Sequence, residues 1–94
     1  VDVLRGCGVQ RIVFSGTRAI GLDVLPSTDG VSNPDSTFTL RAQKGIVLCA
    51  GALKTPIVLM RSGVGPREDN KMHRAFFVDS PWVGKNLSDH LVFP

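Results

Sequence analysis

The first part of the chain alternates between apolar and polar positions, which predicts short strands with one buried face. A β-branched run at residues 9–14 predicts a first strand, and the Ser-Gly-Thr triplet at residues 15–17 predicts a turn. The run RAIGLDVLP predicts a second strand, which we expect to stop at Pro26 because proline lacks an N–H for the ladder. Residues 37–42 predict a third strand. Their order predicts an antiparallel meander, interrupted by a loop at residues 27–36.

A different pattern follows, because residues 46–50 (IVLCA) are apolar without alternation. A strand that is apolar on both faces is typical of the centre of a parallel sheet covered by helices. Cys49 lies inside this run, so we expect it to be a small buried residue. The pattern predicts an α/β fold in which the meander leads into a buried strand.

One short helix is predicted within GALKTPIVLMRSGVG, which runs from residue 51 to residue 65. Thr55 is the expected N-cap and Pro56 the expected first helical residue. Gly63 fits the left-handed position just after a helix C-terminus. Beyond this helix, residues 75–78 predict a short strand, and residues 81–94 predict a largely apolar loop that needs a covering surface.

The helix rules leave Ala50, Gly51 and Ala52 unexplained. These three small residues stand between the carboxyl end of the predicted buried strand and the helix. Ligands bind at that edge of open α/β sheets, and small residues let a ligand approach the backbone closely. The sequence therefore predicts a binding turn at residues 50–52, with tight strand–helix packing as the alternative.

Composition narrows the function classes. With 43% hydrophobic residues in 94 positions, the chain is sufficient for a small globular unit at the lower edge of independent stability. Its net charge of +3 comes from scattered basic residues, which argues against a nucleic-acid-binding stripe. Two cysteines without a CxxC or a Cys/His cluster predict neither a disulfide framework nor a metal site. No apolar stretch approaches the ~20 residues of a membrane span.

Three ordered motifs resemble the glucose–methanol–choline (GMC) oxidoreductases, a family of flavoproteins. GALKTPIVLMRSGVG is similar to the family's second signature, with small residues first, then Thr-Pro, paired aliphatics and Ser-Gly-Val-Gly. KGIVLCAGA before it resembles the preceding strand and turn, and VGKNLSDH after it resembles the following loop. The family's GxGxxG dinucleotide fingerprint is absent from these 94 residues. We therefore expect residues 1–94 to be an internal fragment of an FAD-binding, Rossmann-like domain that is incomplete here.

The resemblance implies FAD as the cofactor and a small-molecule alcohol as the substrate, with the remainder of the parent chain as a partner. It implies that Val9 contacts the adenine through its backbone, and that Ala50, Gly51 and Ala52 lie on the pyrophosphate side of FAD. No residue is expected to be catalytic, since the family's catalytic histidine lies beyond this segment. His90 is accordingly expected to be structural, with Asp89 accepting a neighbouring backbone amide.

Three interpretations from different classes remain at this point. The first is a segment of an enzyme that oxidises the CH–OH group of a donor by hydride transfer to flavin, with the segment alone inactive. The second is a non-catalytic truncated fragment that keeps part of the flavin-binding fold. The third is a small α/β binding module unrelated to flavin, which the three ordered motifs disfavour.

Overall fold

The computed structural model describes residues 1–28, 31–68 and 78–93, and the chain forms two compact units, Val1–Leu48 and Cys49–Pro94. The first unit is a small antiparallel sheet. Its elements in chain order are β1 (Cys7–Ser15), β2 (Arg18–Thr28), β3 (Val31–Ser32), a 3-10 helix (Pro34–Ser36) and β4 (Phe38–Arg41).

Strand β2 is the centre of this sheet. It pairs with β1 along nearly its whole length, with β4 on its other side, and with β3 at its far end, all antiparallel. Gly16 in the β1–β2 turn has a φ of +60°, the left-handed region that glycine adopts without strain. The predicted meander is therefore confirmed.

The prediction that β2 stops at Pro26 is wrong, because the strand continues to Thr28. Pro26 pairs with Cys7, and the next residue, Ser27, donates its N–H to the Gly6 carbonyl oxygen at 2.7 Å. The ladder thus continues through the residue after the proline. Part of the predicted loop at residues 27–36 is ordered as well, in β3 and the 3-10 helix.

Two side chains, Ile12 and Val24, are the buried hydrophobic residues of this unit among those described. A polar cluster joins the three main strands: the Asp23 carboxylate accepts the Arg11 Nε–H at 2.6 Å and the Thr39 hydroxyl at 2.6 Å. The pKa of Asp23 lies below its usual value of 3.8, first because of the Thr39 hydrogen bond and then because of Arg11. The cluster ties β1 and β4 to the central strand.

The second unit contains α1 (Gly51–Arg61), β5 (Val64–Gly65) and β6 (Val78–Asp79), with β5 and β6 parallel. Val78 belongs to the strand predicted at residues 75–78, and residues 75–77 lie outside the described part of the chain. None of the described helices is long and apolar enough to cross a membrane.

The strand predicted at residues 46–50 is not formed in the described structure, and this prediction is corrected. Residues 45–49 have no regular secondary structure, Val47 is 88% exposed, and Cys49 is exposed rather than buried. The physical reason is that a central strand requires hydrogen-bonding neighbours, and none of the described residues pairs with this run. The mixed strands and the one α-helix of the described residues still conform to the α/β class.

Candidate functional site

The helix of the second unit begins earlier than its sequence predicts. It starts at Gly51, so Thr55 is not the N-cap and Pro56 lies inside the helix. The Thr55 hydroxyl instead accepts the backbone N–H of Ala50 at 3.0 Å. This bond reaches back over the first turn, as the second half of a capping box does. Thr55 therefore fixes the turn at residues 50–52 from within the helix.

The other end of the helix agrees with its prediction. Gly63 has a φ of +88°, and its N–H donates to the Met60 carbonyl oxygen at 3.0 Å. Ser62 stands at the C-cap, and its hydroxyl donates to the Val58 carbonyl oxygen at 2.6 Å. Gly63 therefore occupies the left-handed position after the last helical turn.

Gly51 also adopts a conformation that suits glycine, with a φ of +86°. Apart from its chain neighbours and the adjacent helix backbone, a Cβ placed there meets no atom of the described residues within 4 Å, and both Gly51 and Ala52 are exposed. No side chain caps the helix start, and its first turn holds no acidic residue. Backbone N–H groups at such a helix start favour a negatively charged group. The turn thus offers an open, small-residue approach to a backbone that suits an anion.

Two grooves meet at this turn. One has a volume of about 660 Å³ and the other of about 530 Å³, within the range of small-molecule sites. Among the described residues, the smaller groove is lined by residues 50–54 from the helix start and by residues 87–89 from the loop after β6. The grooves share five lining residues: Gly51, Ala52, Leu53, Leu87 and Ser88. The predicted binding turn is therefore one side of a concave surface.

The other side of this surface is a feature that sequence reasoning missed. Gly84 and Asn86 both have left-handed backbones, with φ values of +80° and +60°. A Cβ at Gly84 would lie 3.7 Å from Met60 Cε and 3.8 Å from Pro56 Cβ, so the loop lies close to α1 at this residue. The Gly and Asn of VGKN were the available signal, since these two residue types adopt left-handed conformations most readily.

Val9, Asp89 and His90, which the sequence analysis also named, lie outside this turn. Val9 lies in β1 of the first unit, opposite Val24, and the register shifts between Val9 and Arg11, as at a β-bulge. In the second unit, Asp89 Oδ1 accepts the backbone N–H of His90 at 2.7 Å, as predicted. The structure thus brings Ala50, Gly51 and Ala52 together in one turn and places Val9 on the sheet of the other unit.

The sequence matches the family model described as GMC oxidoreductase over residues 1–92. It is 45% identical over 83 residues to an oxygen-dependent choline dehydrogenase of Pseudomonas syringae pv. tomato, covering 87% of this chain and 14% of that protein. It is 42% identical over 94 residues to a patulin synthase of Penicillium expansum, covering 99% of this chain and 14% of that protein. The chain thus spans about 14% of the length of these curated relatives.

A solved structure agrees with these sequence matches. An FAD-dependent oxidoreductase from Chaetomium thermophilum superimposes with a TM-score of 0.69 at 34% identity, over 83% of this chain and 13% of that chain. Together with the family match, this neighbour indicates FAD as the cofactor. The chain belongs to the GMC oxidoreductase family, as a segment of its N-terminal region.

Proposed function

We propose that residues 1–94 are part of the FAD-binding domain of an enzyme that oxidises the CH–OH group of a small alcohol. The observation that carries the proposal is the open turn at Gly51, a left-handed residue at an uncapped helix start beside two grooves. Family membership supports it, since choline dehydrogenase and patulin synthase are among the relatives. Bound FAD supplies the redox chemistry by accepting a hydride from the alcohol carbon.

In this proposal Ala50, Gly51 and Ala52 hold the pyrophosphate side of FAD. Gly51 and Ala52 have no side chain large enough to block the backbone, and the first helical turn holds no carboxylate. The partial positive charge of the helix start adds a favourable electrostatic contribution, typically 0.3–1 kcal/mol at an exposed position. The smaller groove is also lined by one carboxylate, Asp89, whose Oδ1 accepts the His90 N–H, and by one cation, Lys54. The helix side of the groove therefore fits a diphosphate, and the Lys54 charge offsets that of Asp89.

Val9 is proposed to contact the adenine through its backbone. Strand β1 pairs only with β2 among the described strands, so it is an edge strand there. Edge strands present unpaired backbone N–H and C=O groups, which are the groups needed to recognise a base edge. The register shift after Val9 leaves the ladder irregular at that point.

No residue of this segment is proposed to be catalytic. His90 is exposed, and the Asp89 carboxylate holds its backbone N–H rather than orienting its ring. A base that takes the hydroxyl proton of the alcohol belongs to another part of the enzyme in this proposal. The segment contributes binding and orientation of the cofactor, and by itself it is inactive.

A non-catalytic truncated fragment that keeps part of the flavin-binding fold is the alternative to this proposal. The parent gene product separates the two candidates. If the enzyme proposal is right, the parent sequence contains a GxGxxG motif upstream and a catalytic histidine downstream. The purified full-length protein then shows a flavin absorbance spectrum that bleaches on addition of alcohol. The 94-residue chain alone is expected not to bind FAD at sub-micromolar concentration in a fluorescence titration. Full-length protein that is purified without flavin and cannot be reconstituted with FAD contradicts the enzyme proposal.

A further inference from the structure

The loop opposite the helix start forms part of the surface that a ligand of the Gly51 turn would contact. We define the helix wall as residues 50–54 and the loop wall as residues 83–89. Every described residue that lines the smaller groove belongs to one of these two walls. The larger groove continues along α1 and is lined on its other side by residues 83–88 of the loop wall. A ligand seated against Gly51 therefore also meets the loop wall.

Two left-handed residues determine the course of the loop wall. A Cβ added at Gly84 would be in van der Waals range of Pro56 and Met60, so the loop lies close to α1 at this residue. Two hydrogen bonds close the preceding turns, from Val83 N to Ser80 O at 3.2 Å and from Lys85 N to Trp82 O at 3.1 Å.

After Gly84, Asn86 turns the chain. It is the only non-glycine residue with a positive φ in the described part of the chain, at +60°. Asparagine adopts this region at low cost, whereas a β-branched residue there is a genuine outlier. Residues 87–89, which follow directly, line the groove. The backbone of Asn86 therefore controls which residues the loop presents to the helix wall.

Each wall also contributes one exposed leucine. Leu53 on the helix wall is 66% exposed and Leu87 on the loop wall is 62% exposed, and both line both grooves. The surface between them thus combines two uncovered apolar side chains with the open backbone of Gly51. FAD matches this combination, because it joins a diphosphate to planar rings with apolar faces. Lys54 of the helix wall supplies a positive charge that offsets the Asp89 carboxylate of the loop wall, which lines the same groove.

We propose that the loop wall is the second wall of the FAD site, with Asn86 as a positioning residue that holds Leu87 against the cofactor. This inference rests on the proposed function, since it takes FAD to be the ligand of the Gly51 turn. It assigns to residues 83–89 a role in binding the cofactor, in addition to their contact with α1.

The test is FAD titration of the full-length apoprotein, followed by quenching of flavin fluorescence. Asn86→Val is expected to weaken FAD binding about tenfold or more, because valine resists a left-handed backbone. Asn86→Gly keeps that backbone accessible and is expected to bind within about twofold of wild type. Leu87→Ser is expected to weaken binding about fivefold through lost apolar contact. Leu91→Ser is its matched control, since Leu91 is 85% exposed and lines neither groove.

Thermal unfolding of each apoprotein separates binding from general destabilisation. Gly16→Val introduces the same kind of backbone strain in the β1–β2 turn, where φ is also +60°, and is expected to leave FAD affinity unchanged. If Asn86→Val and Leu87→Ser both bind FAD as wild type does, the loop wall is not part of the site. If Asn86→Gly binds as weakly as Asn86→Val, the positioning role is wrong, because the amide side chain is then what matters. Wild-type apoprotein that binds no FAD overturns the proposed function itself, and the loop wall with it.

Discussion

Replacing Gly51 with valine tests the placement of the cofactor most directly. Gly51 has a φ of +86°, which a β-branched residue adopts only under strain. Such strain costs on the order of 1–3 kcal/mol. Apart from its chain neighbours and the adjacent helix backbone, a Cβ at this position meets no atom of the described residues within 4 Å. A ligand in the groove would therefore add a steric effect to the backbone strain.

The two contributions make separate, measurable predictions. If the strain falls entirely on the cofactor-binding conformation, FAD affinity drops by roughly fivefold to 150-fold. Contact between the valine branches and the cofactor lowers it further. The assay is flavin absorbance per mole of purified full-length enzyme, with circular dichroism to confirm that secondary structure is retained. Gly51→Ala carries the strain with a smaller side chain, so it is expected to fall between wild type and Gly51→Val.

Gly16→Val is the matched control for this experiment. Gly16 has a φ of +60° and equally open space around its Cβ position, but it lies in the β1–β2 turn. Gly16→Val is expected to lower the free energy of unfolding by a similar 1–3 kcal/mol without loss of flavin. Thr55→Ala removes only the acceptor of the Ala50 N–H and should cost about 1 kcal/mol. If the Gly51→Val enzyme retains flavin as fully as the Gly16→Val enzyme, the turn at residues 50–52 does not bind the cofactor.

Three further predictions concern the sheet and the isolated chain. Asp23→Asn should lower the free energy of unfolding by about 1–3 kcal/mol at pH 7. The folded pKa of Asp23 lies below 3.8, so this stabilisation is present above pH 3.8 and is lost as the pH falls through the folded pKa. The difference in melting temperature between wild type and Asp23→Asn should therefore shrink in acid. Gly21→Ala should lower the free energy of unfolding by more than 1 kcal/mol in a denaturant titration, because its Cβ would lie 2.5 Å from the Leu40 carbonyl oxygen. In the control Gly8→Ala the nearest atom is 3.8 Å from the Cβ, and the loss should be less than half as large. The isolated chain should self-associate through exposed strand edges and apolar side chains; a sharp calorimetric transition of a monomer, verified by light scattering, would refute this.

Local signals predicted the meander and the C-terminus of α1 because both depend on neighbouring residues. The turn at Gly16 and the left-handed Gly63 are properties of two or three adjacent positions. The start of α1 was mispredicted because Thr-Pro is itself a strong helix-start signal. The structure uses Thr55 differently, as an acceptor for Ala50 five positions earlier. Helix-start rules consider only adjacent residues, so they do not predict a hydrogen bond between residues five positions apart.

Residues 46–50 show the limit of sequence reasoning most clearly. Their apolar character predicts burial on both faces, yet Val47 is 88% exposed and the run forms no strand in the described structure. Burial of such a run depends on neighbouring strands and covering helices, which are supplied by distant sequence. The only buried hydrophobic side chains among the described residues are Ile12, Val24 and Val58, too few to cover it.

The same argument connects this run to the cofactor. Ala50 is the last residue of this run, and Gly51 and Ala52 follow directly after it, so the position of the turn depends on how the run is held. If neighbouring strands order residues 46–50, they also fix the backbone N–H groups of the turn that the proposal places against the diphosphate. FAD binding and completion of the sheet are then coupled, because a ligand that binds only the ordered state stabilises it by mass action.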